Sequence, residues 1–377
     1  MSAPAGKGPL AGIKVVEFGQ NLAGPYCGQI LAFLGADVVK IERPEGDDAR
    51  KWGPPFLEGD ALGFIALNRG KKSITCDLAD GKQRDALIAR IGQADVFLHN
   101  LRADVPAKFA IDGPTLTRKF PRLIYADLGA FGHTGPWKER PGYEPIIQAV
   151  AGLFSVNGDP SGPEARIGVS IIDLSTGMWT AIGILAALNK RSKTGRGSLV
   201  NTSLFESGLM WASNHIAGYS VTGKQPQRQG SGHPSLTPYQ AFQCTDGLLM
   251  VCPGNDRLWR KFADVLGHPE WPDEARFSKN ADRMKERDVL LPMIEDIMAR
   301  QSRAFWSGKL DAVGVPHGPL NSIPQVLELA QVAALGMFGK PYDGSPAMFH
   351  GLPLSIDGER AGGSQKAPRI GEHNGTT

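Results

Sequence analysis

The chain has 377 residues, of which 41% are hydrophobic and 21% charged, a profile that excludes a fibrous or intrinsically disordered protein. A formal net charge of +3 with no polybasic block argues against a nucleic-acid or membrane-surface partner and leaves a small anionic ligand open. At about 150 residues per domain the length predicts two domains.

Residues 13–18 read as a strand, 25–34 as a helix and 36–42 as a second strand, a βαβ unit of about thirty residues. Further strands are predicted at 72–77, 95–99 and 122–126, alternating with helical stretches at 81–91 and 114–119. Such alternation predicts an α/β fold with a doubly wound, mostly parallel, Rossmann-like sheet covered on both faces. Ligands on such sheets gather beyond the carboxyl ends of the strands, where 19–24, Glu42 with Arg43, and Asn100 to Arg102 fall. The first loop, Gly19-Gln-Asn-Leu-Ala-Gly24, lacks the middle glycine of a dinucleotide fingerprint, so no nicotinamide site is expected even though Glu42 stands where a ribose contact would.

The run Gly168-Val-Ser-Ile-Ile-Asp173 sets one carboxylate where a long apolar helix begins, its apolar positions running from 174 to 188. Asp173 is expected at or beside the N-cap, kept ionised by the helix terminus, with Gly177 letting another chain approach closely. A fixed, partly desolvated carboxylate can attack an activated acyl carbon; a plain helix cap is the blander reading.

A basic glycine turn at 193–197 precedes a strand at 198–203 and a helix through Trp211 to Tyr219. The polar, glycine-rich stretch from Gly223 reads as a linker or mobile loop, with Gly230, Gly232 and His233 its candidate site-covering residues. Strands at 239–244 and 248–252 around Thr245-Asp-Gly247 form a predicted hairpin. Helices follow at 257–266, 281–300 and 304–313, and the tail carries strand-like pieces around 346–356. The expected division is a large α/β domain over 1–222, a small α+β domain over 223–330, and a return to the large domain over 331–377.

No apolar run reaches the length expected of a membrane span, and residues 1–7 lack the apolar core of a signal peptide, so a cytoplasmic location is expected. Cys27, Cys76, Cys244 and Cys252 show no CxxC pairing, which fits a reducing compartment. The histidines are scattered, and no metal is expected.

Ten motifs in order give the chain a resemblance. They are Val15-Val-Glu-Phe18 with Leu22-Ala-Gly-Pro25, Leu34-Gly-Ala-Asp-Val-Val-Lys-Ile-Glu-Arg-Pro44, Asn68-Arg-Gly-Lys-Lys-Ser73 and Asp95-Val-Phe-Leu-His-Asn100. Gly132-His-Thr-Gly-Pro136, Arg140-Pro-Gly-Tyr-Glu144, Ile171-Ile-Asp-Leu-Ser-Thr-Gly177, Lys193-Thr-Gly-Arg-Gly197 and Gly314-Val-Pro-His-Gly-Pro319 complete them. Nearly end to end, the chain resembles the class III coenzyme A transferases, which include the formyl-CoA, carnitine and bile-acid CoA transferases. The resemblance implies transfer of coenzyme A from an acyl-CoA to a free carboxylic acid. Asp173 would form a mixed anhydride and then an aspartyl-CoA thioester. Coenzyme A would be a substrate, with no permanently bound cofactor. An interlocked homodimer is implied, with each large domain built from both chain ends.

By position, the resemblance assigns coenzyme A contacts to Leu22, Ala23, Arg43, Cys76, Asp77, Leu78, Ala79, Asn100, Leu101, Arg102, Lys108, Pro141 and Gly142, with Arg43 and Lys108 on phosphates. Tyr143 and Glu144 match the active-site pair, Glu144 orienting an acyl group or water, or simply serving as a first-turn carboxylate on its helix. Backbone N–H groups around Gln20 to Gly24 are candidate oxyanion donors. Leu22 replaces a glutamine of the formyl-CoA enzymes, and His233-Pro-Ser-Leu-Thr-Pro-Tyr239 looks more like dicarboxylate-handling, succinyl-CoA-using branches, so donor and acceptor stay open. The tail stops where relatives usually continue into another helix. A racemase of 2-methylacyl-CoA, which needs a histidine where Tyr143 stands, and a non-catalytic coenzyme A-binding protein are the alternatives.

Overall fold

The computed structural model describes residues 8–362 and 365–376. The stretch 1–7, read above as lacking a signal-peptide core, and Thr377 lie outside the described residues.

Six strands form one sheet: β1 (Lys14–Phe18), β2 (Asp37–Glu42), β3 (Lys72–Thr75), β4 (Val96–His99), β5 (Ile124–Gly129) and β6 (Ser198–Ser203). Their order is β3-β2-β1-β4-β5-β6, and every neighbouring pair is parallel. Parallel strands need covered faces, which is why β1, β2 and β4 are runs of buried residues rather than alternating ones.

The helices of this region are α1 (Ala23–Phe33), α2 (Leu62–Asn68), α3 (Gly81–Gly92), α4 (Asp104–Lys108), α5 (Gly113–Lys119), α6 (Glu144–Val150), α7 (Leu153–Val156), α8 (Ile171–Thr194), α9 (Leu204–Trp211) and α10 (Ser213–Thr222). Side chains set several starts: Asp80 accepts from the Lys82 and Gln83 N–H groups, Asp112 from Thr115, and Ser203 from Glu206. One sheet face packs Leu31, Ile172 and Ile184 from α1 and α8; the other packs Leu87, Ile91 and Leu116 from α3 and α5. Truncating a side chain as buried as Ile184 would cost about 2–5 kcal/mol.

α8 begins at Ile171, three residues earlier than expected, and ends at Gly195, whose φ of 70° is left-handed. By length and composition it is long and apolar enough to cross a membrane, which corrects the expectation that no run reaches that length. Here it packs against α1, β5 and β6. A Cβ on Gly177 would meet the Ala23 carbonyl oxygen at 2.7 Å and the Cys27 nitrogen at 3.2 Å, so only glycine lets α8 lie so close to the start of α1.

The chain divides into two compact units. The first takes the chain as far as Leu153, Arg166–Ala217 and everything from Ala330 onward; the second takes Phe154–Ala165 and Gly218–Leu329. The segment Phe154–Ala165 thus departs from the expected first domain. Its own contacts explain why: Arg228 donates to the carbonyls of Asp159 at 3.0 Å, Pro160 at 3.3 Å and Gly162 at 2.8 Å, and the Gly230 N–H donates to the Gly158 carbonyl at 3.0 Å.

In the second unit β7 (Gln240–Cys244) and β8 (Gly247–Val251) form the antiparallel hairpin, extended by β9 (His317–Pro319) on β8. Its separate core gathers Trp259, Phe262, Trp271, Phe277, Ile294 and Leu310. The single helix expected over 281–300 is two, Asn280–Lys285 and Arg287–Met298, joined at Glu286.

Candidate active site

Because the six strands are parallel, their carboxyl ends share one edge, and the loops after β3, β2, β1 and β4 stand side by side. The order in which successive strands are added to the sheet reverses between β1 and β4, the position where open α/β sheets open a crevice. Asn100 bridges that point. Its Oδ1 accepts from the Gln20 N–H at 2.8 Å and its Nδ2 donates to the Gln20 carbonyl at 2.8 Å. The Asn100 side chain is therefore engaged in tying two loops together.

The residues assigned to coenzyme A lie along this edge and on the segment leading into α6. Leu22 and Ala23 open α1, Arg43 follows β2, Cys76 to Ala79 follow β3, and Asn100, Leu101 and Arg102 follow β4. Lys108 ends α4, and Pro141 and Gly142 precede α6. Arg43 is exposed and paired with Asp48 at 2.8 Å, Arg102 stands 3.4 Å from Asp104, and Lys108 lies over the Phe109 ring. Cys76 is buried, which pushes its thiol up to about 11, and Asp77 accepts the Ala79 N–H at 2.9 Å to shape the turn beside Leu78.

Glu42, where no nicotinamide ribose was expected, is saturated by Arg50 at 2.7 and 2.8 Å, the Ser73 hydroxyl at 2.7 Å and the Asp47 N–H at 3.0 Å. One expectation for this edge is corrected. In the first loop the Gln20 N–H is taken by Asn100 and the Asn21 N–H by Asp47 at 3.1 Å. No acceptor among the described residues faces the N–H groups of Leu22, Ala23 and Gly24, which form the positive end of α1.

Asp173 is the third residue of α8, behind the N-cap Ser170, so it does not cap the helix. It shares a helical face with Gly177 one turn on, the face that lies against the start of α1. Burial, and then the nearby charge of Glu144, push its carboxyl from 3.8 up to about 7. With its carboxyl at about 7, Asp173 is only partly ionised near neutral pH, where the helix terminus was expected to keep it ionised.

Glu144, in the first turn of α6, is buried; its Oε1 accepts from Gln148 Nε2 at 2.5 Å while its Oε2 has no hydrogen-bond partner. Tyr143, the N-cap, is 61% exposed. Gln148 was not singled out from sequence, although its i+4 spacing from Glu144 puts both on one helical face. It also exchanges hydrogen bonds with Ile167, donating to the carbonyl at 3.2 Å and accepting the N–H at 2.9 Å, which braces the segment that leads into α8.

Gly230, Gly232 and His233 belong to the second unit. Gly230 has φ 58°, the Gly232 N–H donates to Gln229 at 2.8 Å, and the His233 N–H donates to Tyr239 at 3.1 Å. Among the described residues no three of His, Cys, Asp and Glu converge as metal ligands.

Residues 10–374 match the model of CoA-transferase family III. The chain is 37% identical over 373 residues to the acetyl-CoA:oxalate CoA-transferase of Acetobacter aceti, spanning 97% of this chain and 94% of that protein. It is 34% identical over 380 residues to the succinate–glutarate CoA-transferase of Agrobacterium fabrum, spanning 98% and 95%. Among solved structures, a CAIB/BAIF family protein from Brucella suis aligns with TM-score 0.84 and 36% identity over 97% of each chain. Rv3272 from M. tuberculosis aligns with TM-score 0.88 and 27% identity over 99% of each. The chain belongs to CoA-transferase family III, enzymes that move coenzyme A between an acyl-CoA and a free carboxylic acid.

Proposed function

We propose that Asp173 is the nucleophile of this transfer and carries the coenzyme A between donor and acceptor. The ionised carboxylate attacks the donor thioester carbonyl, the carbon–sulfur bond breaks, and coenzyme A leaves as thiolate from a mixed anhydride. The thiolate then attacks the Asp173 acyl carbon, the donor acid departs as carboxylate, and an aspartyl-CoA thioester remains. An acceptor carboxylate repeats both steps in reverse and regenerates Asp173, with no net proton or water consumed. The N–H groups of Leu22, Ala23 and Gly24 suit the oxyanions that form at each addition.

What carries this reading is one carboxylate held on the helix face that meets the start of α1, raised by burial to about 7. A carboxylate with that affinity for a proton is a stronger nucleophile than an ordinary one once it is ionised. Protein mixed with donor acyl-CoA, reduced with borohydride and digested is expected to show modification in the peptide containing Asp173; an unmodified peptide throughout turnover ends the proposal. Since only the ionised form attacks, kcat/KM of the free enzyme is expected to fall about tenfold per pH unit below about 7. A profile flat from pH 5 to 8 would contradict this.

For substrates we infer a short dicarboxylic acid as acceptor, since the named relatives act on oxalate, succinate and glutarate. The racemase reading gains no base here: Tyr143 occupies the histidine position, and His133 is engaged with Asp127 at 3.6 Å and the Thr202 carbonyl at 3.2 Å. Deuterium wash-in at the α-carbon would reveal that activity.

The interlocked homodimer belongs to the same proposal. Met178, Trp179 and Ile182 on α8, with Trp211 and Ile216, are large apolar side chains 39–53% exposed, a contiguous-helix pattern that a second copy would cover. Sedimentation is expected to give a dimer that persists on dilution to nanomolar concentration; a stable, soluble monomer would count against it.

A further inference from the structure

Three of the family motifs carry charged residues that touch no proposed substrate: Glu17, Lys40 and Lys71. Their side chains are fully buried and, with Asp47, they form one cluster beneath the loop that runs from β1 into α1. Lys71 Nζ lies 2.8 Å from Glu17 Oε2, Lys40 Nζ 2.9 Å from Asp47 and 3.5 Å from Glu17 Oε1. Beyond pairing with each other, these groups hold backbone. Lys40 donates to the Gly19 carbonyl at 2.6 Å, Lys71 donates to the Pro25 carbonyl at 2.7 Å, and Asp47 accepts the Asn21 N–H at 3.1 Å. A Cβ on Gly28 would fall 1.8 Å from Glu17 Oε2, so α1 itself is shaped around the carboxylate.

Stability does not explain such a cluster. Fully buried ion pairs are roughly neutral or unfavourable against well-packed apolar residues of the same volume. What they supply here is placement, because they fix the Gly19 carbonyl ahead of α1 and the Pro25 carbonyl in its first turn, and between these two holds lie the N–H groups of Leu22, Ala23 and Gly24, which have no hydrogen-bond partner among the described residues. We propose that Glu17, Lys40, Asp47 and Lys71 are positioning residues for acyl transfer, acting on the reaction only through the geometry of this turn. The proposal rests on Asp173 being the nucleophile served by those donors.

The test is the double variant Glu17→Gln/Lys71→Met, which removes one hold on the turn while leaving Lys40 paired with Asp47 and the net charge unchanged. It is assayed with whichever pair the unsubstituted protein turns over, acetyl-CoA with oxalate or succinyl-CoA with glutarate. Losing one oxyanion donor costs about 10²–10³ in kcat, so a misdirected turn is expected to lower kcat about 10- to 100-fold. KM for the acceptor acid should stay within about twofold, and the melting temperature within a few degrees of wild type. A kcat within threefold of wild type in the folded variant overturns the proposal. Should the double variant not fold, the isosteric Asp47→Asn decides instead: it keeps an acceptor for Asn21 but frees Lys40, and an unchanged kcat there is equally fatal. Trapping separates the two ideas. An unmodified Asp173 in wild type sinks the nucleophile reading, whereas wild-type modification that proceeds at the same rate in the variants sinks only this one.

Discussion

Asp173→Ala is expected to lower kcat/KM by at least roughly 10⁴-fold, since it deletes the group proposed to form the covalent intermediate. Its companion Asp173→Asn should be as inactive but more stable than wild type, and increasingly so as pH rises. The carboxyl stands at about 7 in the folded chain against 3.8 for an ordinary aspartate, so the folded state holds its proton more tightly. Stability associated with that proton is complete below pH 3.8 and is lost as pH rises through about 7. At about 1.4 kcal/mol per pKa unit, ionising the folded group costs about 4 kcal/mol as a ceiling. Partial exposure screens part of this, and about 1–3 kcal/mol at pH 8, with about a third of that at pH 5, is the expected gain of the asparagine variant. Urea unfolding of both proteins at pH 5 and pH 8 measures it. An asparagine variant no more stable than wild type at pH 8 would mean that the carboxylate is not held against its solvation, and the raised nucleophilicity would go with it.

The sheet was readable because its strands leave a plain trace: short segments rich in β-branched and aromatic residues, VVEF in β1, DVVKIE in β2 and VFLH in β4, alternate with helical stretches. α6 was legible only at its start, in Glu144 as a first-turn carboxylate, and its extent was not, since Arg140-Pro-Gly-Tyr-Glu-Pro145 looks like a loop until Pro145 is recognised as a first-turn residue. Nor was the grouping of Phe154–Ala165 with the second unit, which depends on Arg228 meeting carbonyls more than sixty residues away. In the site, Asp173 could be found from its motif and helix, but its protonation could not, because burial and Glu144 act through tertiary structure. Lys40 shows the limit most directly. A lysine inside DVVKIE reads as the solvated side of a strand, yet both faces of β2 are covered and its ammonium is buried against Asp47 and Gly19.

Arg50 is the position at which a single substitution should harm the fold most. Its guanidinium grips Glu42 with two bonds of 2.7 and 2.8 Å, reaches Asp60 at 2.8 Å and the Pro368 carbonyl at 3.0 Å, and lies 3.8 Å from the centre of the Phe64 ring. One side chain therefore joins the end of β2, the segment before α2 and the C-terminal tail. Arg50→Leu strands a buried carboxylate, for which about 3–5 kcal/mol of destabilisation is expected, whereas the paired Arg50→Leu/Glu42→Gln should recover much of it. pH discriminates further. Burial works to raise the Glu42 carboxyl, but the bonds and charges of Arg50 and Lys40 and the Ser73 hydroxyl overcome it and hold it below 4.5. The pairing therefore stabilises the fold above pH 4.5 and loses its contribution as pH falls through the lowered value. Wild type and Arg50→Leu should accordingly differ most near pH 7 and converge toward pH 3, by urea unfolding. A difference independent of pH would show that Arg50 serves by packing on Phe64 and the tail alone, and Glu42 would again be free to meet a ligand.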